Sequence, residues 1–431
     1  MEARAAMQLS KRRIRIRVTR EGLIYVVVLA FITAGALMRN VNLLILLSGM
    51  MLVPLFLGWR LALVMLNGLE LRRSFPSRLF AGQTSSITWR ITNNRRAFPV
   101  WQIQIHDRLR RAPAGEPSSI QLIAPEIGPL HSEFVVFRAY WGERGEYVWG
   151  PTTISCRFPM GLIEAWCELE TSEPFSVAPA IGKLVPNWDR RLLSMASGSH
   201  SRARRKGLID DEFFALRPWR GGDPIRYIHW RSSARNQELM VKQFDTRSDR
   251  DMVLLLDLHE PRSARVSAAL AAHPVEHVLS FAATIVTQLV GLVKGKVGLA
   301  ICGAESAILT DYATAAFVEK ALQELGIATS SDHPDLTGAL INLAGEFAGG
   351  TPFYVVSTRP RVDLAALVPA IHWSRFRAIE PWLRWLSVDS PEFEELFTSP
   401  FRSTVPGHVE QELQSDALPI GPVSEGRHDT R

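Results

Sequence analysis

Between Trp219 and Phe244 the chain reads WRGGDPIRYIHWRSSARNQELMVKQF, and these residue types admit three kinds of chemistry. Ser232 or Ser233 with His229 and Asp223 would supply a nucleophile, a base and a carboxylate for hydrolysis. Arg226, Arg231, Arg235 and Lys242 beside Trp219 and Trp230 would suit a nucleic acid, with cations for phosphates and rings for bases. The same residues would also make a structural join. Short spacing alone makes no triad, and Asp223 and Glu238 put negative charge inside the basic cluster. The join is therefore favoured, with a partner surface as its second use. Gly221 and Gly222 turn the chain, and Asp223 accepts backbone or Arg hydrogen bonds at the turn. Trp230 anchors the core, and Arg235 pairs with an acidic residue.

These residues must be positioned by something, and 431 residues leave room for two or three domains. The net charge is +6, and the three cysteines (Cys156, Cys167, Cys302) have no metal-ligand spacing. So few thiols exclude a disulfide scaffold and suit a reducing compartment. Two uncharged runs, Gly22–Met38 and Val41–Trp59, each reach close to the roughly 30 Å of a hydrocarbon core. With only Arg39 and Asn40 between them, they predict a transmembrane hairpin over 22–66. Basic residues recur from Arg4 to Arg20, and Arg60, Arg72, Arg73 and Arg78 follow the second run. The positive-inside rule then puts both termini in the cytoplasm, with residues 1–21 as a basic arm against anionic headgroups. That arm accounts for the positive charge without nucleic acid.

From 69 to 185, alternating runs such as SSITWRITN and EFVVFRAYW, broken by Gly, Pro and Asn, predict an all-β sandwich. Residues 186–207 are Ser, Gly and basic residues without an apolar period, a linker by composition. The segment 208–250 holds the stretch quoted above. Residues 251–398 then alternate strand and helix, from DMVLLLD through PVEHVLSFAATIVTQLV to KVGLAICG and TPFYVVST. That order predicts an α/β domain with a parallel sheet, whose functional edge lies at the strands' carboxyl ends. Asp257, Gly303 and Ser357 sit at those ends. Residues 399–431 are polar and read as a disordered tail.

This order resembles the bacterial membrane family described as domain of unknown function fifty-eight, whose last domain is similar to a von Willebrand factor A domain. The residues that match its motif are Phe213, Leu216, Arg217, Trp219, Gly222, Asp223, Arg226, Trp230, Ala234, Arg235 and Phe244. FPMGLI at Phe158–Ile163 resembles the family's close of the β-domain, with Met160 where Phe is usual. His229 stands where the family usually has Asp. Von Willebrand factor A domains hold Mg²⁺ with Asp-x-Ser-x-Ser, a later Thr and a further Asp. Here Asp257 and Thr337 remain, but His259 and Pro261 replace the two serines and Ser357 replaces the second Asp. The expectation is a degraded site with no metal and no cofactor, Glu260 or Asp335 being the residues that would have to compensate. The resemblance implies a non-enzymatic scaffold or interaction protein of the inner membrane, partnered by a MoxR-type AAA+ ATPase. No Walker A loop is present in the chain. The alternatives are a cell-envelope hydrolase using residues of 219–244, or a membrane-tethered nucleic-acid binder.

Overall fold

The computed structural model describes residues 7–8, 14–39, 41–112, 115–169, 172–188, 191–192, 212–220, 223, 225–245, 251–261, 273–290, 292–293, 295–347 and 350–403. Most of the linker expected at 186–207, Gly222, and the tail from Thr404 lie outside the described residues. Two helices open the chain, α1 (Arg20–Arg39) and α2 (Asn42–Leu66), and both are long and apolar enough to cross a membrane. Little of either span is buried inside the molecule. Helix α2 runs past Trp59, where the uncharged run ends. Its last turn buries Ala62, Met65 and Leu66 in the core of the β-region.

Part of the basic arm forms two strands, β1 (Met7–Gln8) and β2 (Arg15–Val18). β1 pairs antiparallel with β3 (Leu69–Ser74), and β2 with β10 (Ile163–Leu169). Arg17 forms an ion pair with buried Glu164, and the Arg15 guanidinium lies 5.2 Å from the Trp166 ring centre. The alternation of Arg and Ile suits a strand, and of its cations Arg15 and Arg17 face protein groups.

The β-region adds β4 (Thr84–Asn93), β5 (Val100–Arg111), β6 (Ser118–Ile127), β7 (Ser132–Tyr140), β8 (Gly145–Trp149), β9 (Thr152–Cys156) and β11 (Glu173–Val177). One sheet runs β1-β3-β4-β7. The other runs β11-β8-β5-β9-β10-β2, with β6 also on β5. In β4 the buried side chains Ile87, Trp89 and Ile91 fall on every second position, as one face of a strand requires. Between the sheets the buried Arg73 of β3 donates to Asp107 of β5 at 2.6 Å, Thr152 of β9 at 3.0 Å and Glu173 of β11 at 2.9 Å. Its guanidinium also lies 5.0 Å from the Trp149 ring centre.

A small unit follows, built from β13 (Glu212–Pro218), a 3₁₀ turn (Ile225–Tyr227), α3 (Trp230–Asn236) and β14 (Met240–Asp245). The last domain contains β15 (Met252–Asp257), α4 (Pro274–Gln288), β16 (Lys296–Cys302), β17 (Ala307–Tyr312), α5 (Ala315–Ile327), α6 (Leu336–Glu346), β18 (Phe353–Ser357), α7 (Leu364–Leu367), α8 (Trp373–Ile379), β19 (Leu383–Ser387) and α9 (Pro391–Leu396). Its sheet order is β17-β16-β15-β18-β19. The β15–β16, β15–β18 and β18–β19 pairs are parallel and β17 is an antiparallel edge. Alternate residues of β15 enter opposite cores. Leu254 and Leu256 pack with α4 and α5, while Val253 and Leu255 pack with α6 and α8. Helices on both faces are what a run buried on both sides demands.

The contact between β-region and α/β domain does not pass through the motif unit. Ser280 donates to the Ala180 carbonyl at 2.6 Å, and the Gly182 amide donates to Thr284 at 3.0 Å. Arg144 reaches Glu276 at 2.9 Å and the Ala328 carbonyl at 2.7 Å. Strands β12 (Lys183–Leu184) and β20 (Phe397–Thr398) pair across the boundary, and Phe401 packs on the sandwich core.

Candidate interaction surface and the carboxyl edge of the parallel sheet

Within the motif unit, β13 and β14 pair antiparallel, with Phe213 opposite Phe244, Leu216 opposite Lys242 and Arg217 opposite Val241. The Trp219 amide extends the ladder to the Leu239 carbonyl at 2.7 Å. Among the described residues of the unit, Ile228, Ser233 and Val241 are buried. Ser233 ties its halves together, its hydroxyl donating to the His229 carbonyl at 3.1 Å and accepting from the Met240 amide at 2.8 Å.

Asp223 is held by Arg217 in a two-pronged pair, both contacts 2.7 Å, and accepts the Arg220 amide at 2.9 Å. The Arg217 guanidinium foremost, then the Arg220 N–H, pull its carboxyl down to about 2. A carboxylate so satisfied is a strut for the turn, and its acceptors are engaged rather than offered to a substrate. His229 precedes α3, and its Nδ1 accepts the Ser232 amide at 3.2 Å, capping the helix. Asp is among the preferred residues for that role, which explains how His229 can stand at a position of the motif where Asp is usual.

Two expectations fail here. Trp230 is 64% exposed and anchors no core, and Arg235 is exposed with no acidic partner among the described residues. The reason is local: Trp230 is the first residue of a short helix whose inward face is taken by Ser233. Trp219 (39% exposed), Ile225 (70%) and Leu239 (44%) join Trp230 at the surface. Arg220, Arg231, Ala234 and Arg235 are exposed as well. Arg226 lies in the 3₁₀ turn. Among the described residues no element outside the unit packs extensively on it.

The second site is the carboxyl edge of the parallel sheet. Asp257 ends β15, fully buried, beside Ser357 at the end of β18 and Cys302 at the end of β16. Ser357 donates to Asp257 at 2.7 Å, and Arg359 donates Nε at 2.9 Å and Nη2 at 3.4 Å. Thr337 turns to Asp335 at 3.4 Å, and Asp335 caps α6 by accepting the Gly338 amide at 2.9 Å. Glu260 is engaged by Ser330 and His273. Among the described residues no group of three His, Cys, Asp or Glu is placed to hold a metal. The donors around Asp257 do not suit Mg²⁺, since a guanidinium already faces the carboxylate and the serine hydroxyls are replaced. Arg359, two residues beyond Ser357, gave no signal in the sequence, since Asp257 lies 102 residues earlier in the chain. Burial, then Asp257 and Asp335, push the Cys302 thiol up to about 12, which favours the thiol over the thiolate. Gly303 is fixed by space, because a Cβ there would lie 2.1 Å from the Thr329 carbonyl oxygen.

Among curated proteins no relative matches the chain. A β-glucosidase from Listeria innocua in complex with glucose is 14% identical over 25% of this chain, with a TM-score of 0.17. The match spans only 15% of that enzyme's length. A superoxide reductase (neelaredoxin) from Ignicoccus hospitalis is 14% identical over 23% of this chain and 77% of its own, with a TM-score of 0.15. At these TM-scores neither likeness bears on fold or function. Residues 215–349, which run from the motif unit into α6 and the loop after it, match the model of the family described as "Protein of unknown function DUF58", and that match supports this family for the chain.

Proposed function

We propose that the chain is a membrane-anchored, non-enzymatic interaction protein of the bacterial inner membrane. In this reading α1 and α2 form the transmembrane hairpin, both termini are cytoplasmic, and the α/β domain is von Willebrand factor A-like. The partner is a MoxR-type AAA+ ATPase, which supplies the ATP chemistry that this sequence has no Walker A loop to perform. The observation that carries the reading is the outward display of Trp219, Ile225, Trp230 and Leu239 on a unit that packs on itself. Aromatic residues and Arg grouped at a surface are the composition of binding hot spots. Support against chemistry comes from the same residues: Asp223 is tied to Arg217, Asp257 to Arg359, and His229 to its helix cap. The anchoring rests on the exposed apolar sides of α1 and α2, which in water would be costly and in lipid are not.

The test is photocrosslinking from position 225 or 230 in native membranes, followed by mass spectrometry. Recovery of an AAA+ ATPase, lost on Trp230→Ala with the melting temperature largely kept, is the expected result. Crosslinks to nucleic acid, or none above a control probe at exposed Glu319, would refute the reading.

A further inference from the structure

The carboxyl edge of the α/β sheet holds an arrangement that the proposed function leaves unused. Asp257 is fully buried, and a carboxylate at that depth needs a counter-charge close by. We infer that the Arg359 guanidinium is the fixed counter-ion of this edge, standing where a divalent cation would otherwise meet Asp257. The edge is then assembled without metal. Three contacts build the arrangement. Asp257 and Ser357 are register partners on adjacent parallel strands, so the hydroxyl reaches the carboxylate directly. The same hydroxyl accepts the Arg359 amide at 3.1 Å, which turns the chain so that the guanidinium folds back over Asp257. Trp385 of β19 pins that turn by donating to the Arg359 carbonyl at 3.2 Å.

The ligand chemistry agrees. Magnesium asks for about six oxygen ligands in an octahedron. The residues two and four past Asp257 are His259 and Pro261, and Thr337 is committed to Asp335. The Arg359 side chain is still 26% exposed, so this edge presents a permanent positive group to solvent at any metal concentration. The inference holds whichever partner the motif unit binds.

Thermal unfolding of the full-length protein in detergent micelles tests it, in EDTA and in excess MgCl₂. The native chain should melt at the same temperature in both. Arg359→Ala should lose roughly 10 °C in EDTA, the scale expected when a buried charge loses its partner. Magnesium should not restore that loss, since removing the guanidinium supplies none of the missing oxygen ligands. Adding Asp257→Asn to Arg359→Ala should restore part of it. Should the single variant fail to fold, a folded double variant supports the inference and an unfolded one overturns it. A native chain or a single variant stabilised by magnesium, a single variant as stable as native, or a double variant no better than the single would each overturn it.

Discussion

Replacing Trp230 by Ala separates a binding residue from a packing residue, and the expected size follows from its exposure. A tryptophan buried in a core would cost roughly 3–5 kcal/mol on truncation. Trp230 is 64% exposed, so only about a third of the side chain is shielded. An aromatic side chain carries about 150–250 Å², which leaves roughly 50–90 Å² shielded. At about 25 cal/mol per Å² that area is worth roughly 1–2 kcal/mol. Ala keeps part of it and the unfolded chain already hides some, so about 1 kcal/mol is expected. The assay is thermal or urea unfolding of the full chain in micelles, read alongside crosslinking to the partner. Near-native stability with lost crosslinking fits a contact residue. A stability loss of 3 kcal/mol or more would refute the exposure on which the interaction surface rests.

Three further outcomes are expected. His229→Ala should destabilise the protein by about 1 kcal/mol through loss of a helix cap, while His229→Asp should be tolerated, as melting curves of both would show. Asp223 has a folded value near 2 against an ordinary 3.8, so its pair with Arg217 contributes fully above pH 3.8 and is lost as pH falls through about 2. Comparing acid unfolding of native and Asp223→Asn chains checks this, and only the native chain should show that component. Arg73→Met should lower stability by roughly 3–5 kcal/mol, because Asp107 is left buried without its partner. A chemical denaturation series that includes Asp107→Asn in the Arg73→Met background should recover part of the loss.

What could be read in the sequence was whatever repeats with a local period. The two apolar runs, the alternation of β4 and the strand–helix order of the last domain come from spacing along the chain, and the structure contains them. β17 and β19 escaped because short edge strands are half exposed and carry no continuous apolar run. Long-range pairing was invisible. Nothing in the sequence brings Arg73 to Asp107, or Arg359 to Asp257 a hundred and two residues away. Trp230 misled for another reason. Its residue type argued for burial, but the short helix it begins turns Ser233 inward, and three-dimensional direction outweighs hydrophobicity. The motif could be recognised as a pattern, whereas its outward face could not.

The start of α1 has a mechanical consequence. Thr19 donates to the Gly161 carbonyl at 2.6 Å, and the Gly22 amide donates back to Thr19 at 3.0 Å. A Cβ on Gly22 would sit 2.0 Å from the Leu162 carbonyl oxygen. The FPMGLI segment is thus a socket for the first helix, while the last turn of α2 is sunk in the same sandwich. The hairpin is mounted at both ends, like a bracket bolted twice, and the sandwich in turn grips the α/β domain through Ser280, Thr284 and Arg144. Torque applied to the α/β domain is therefore carried along the sandwich into the two helices instead of being absorbed by a swivel.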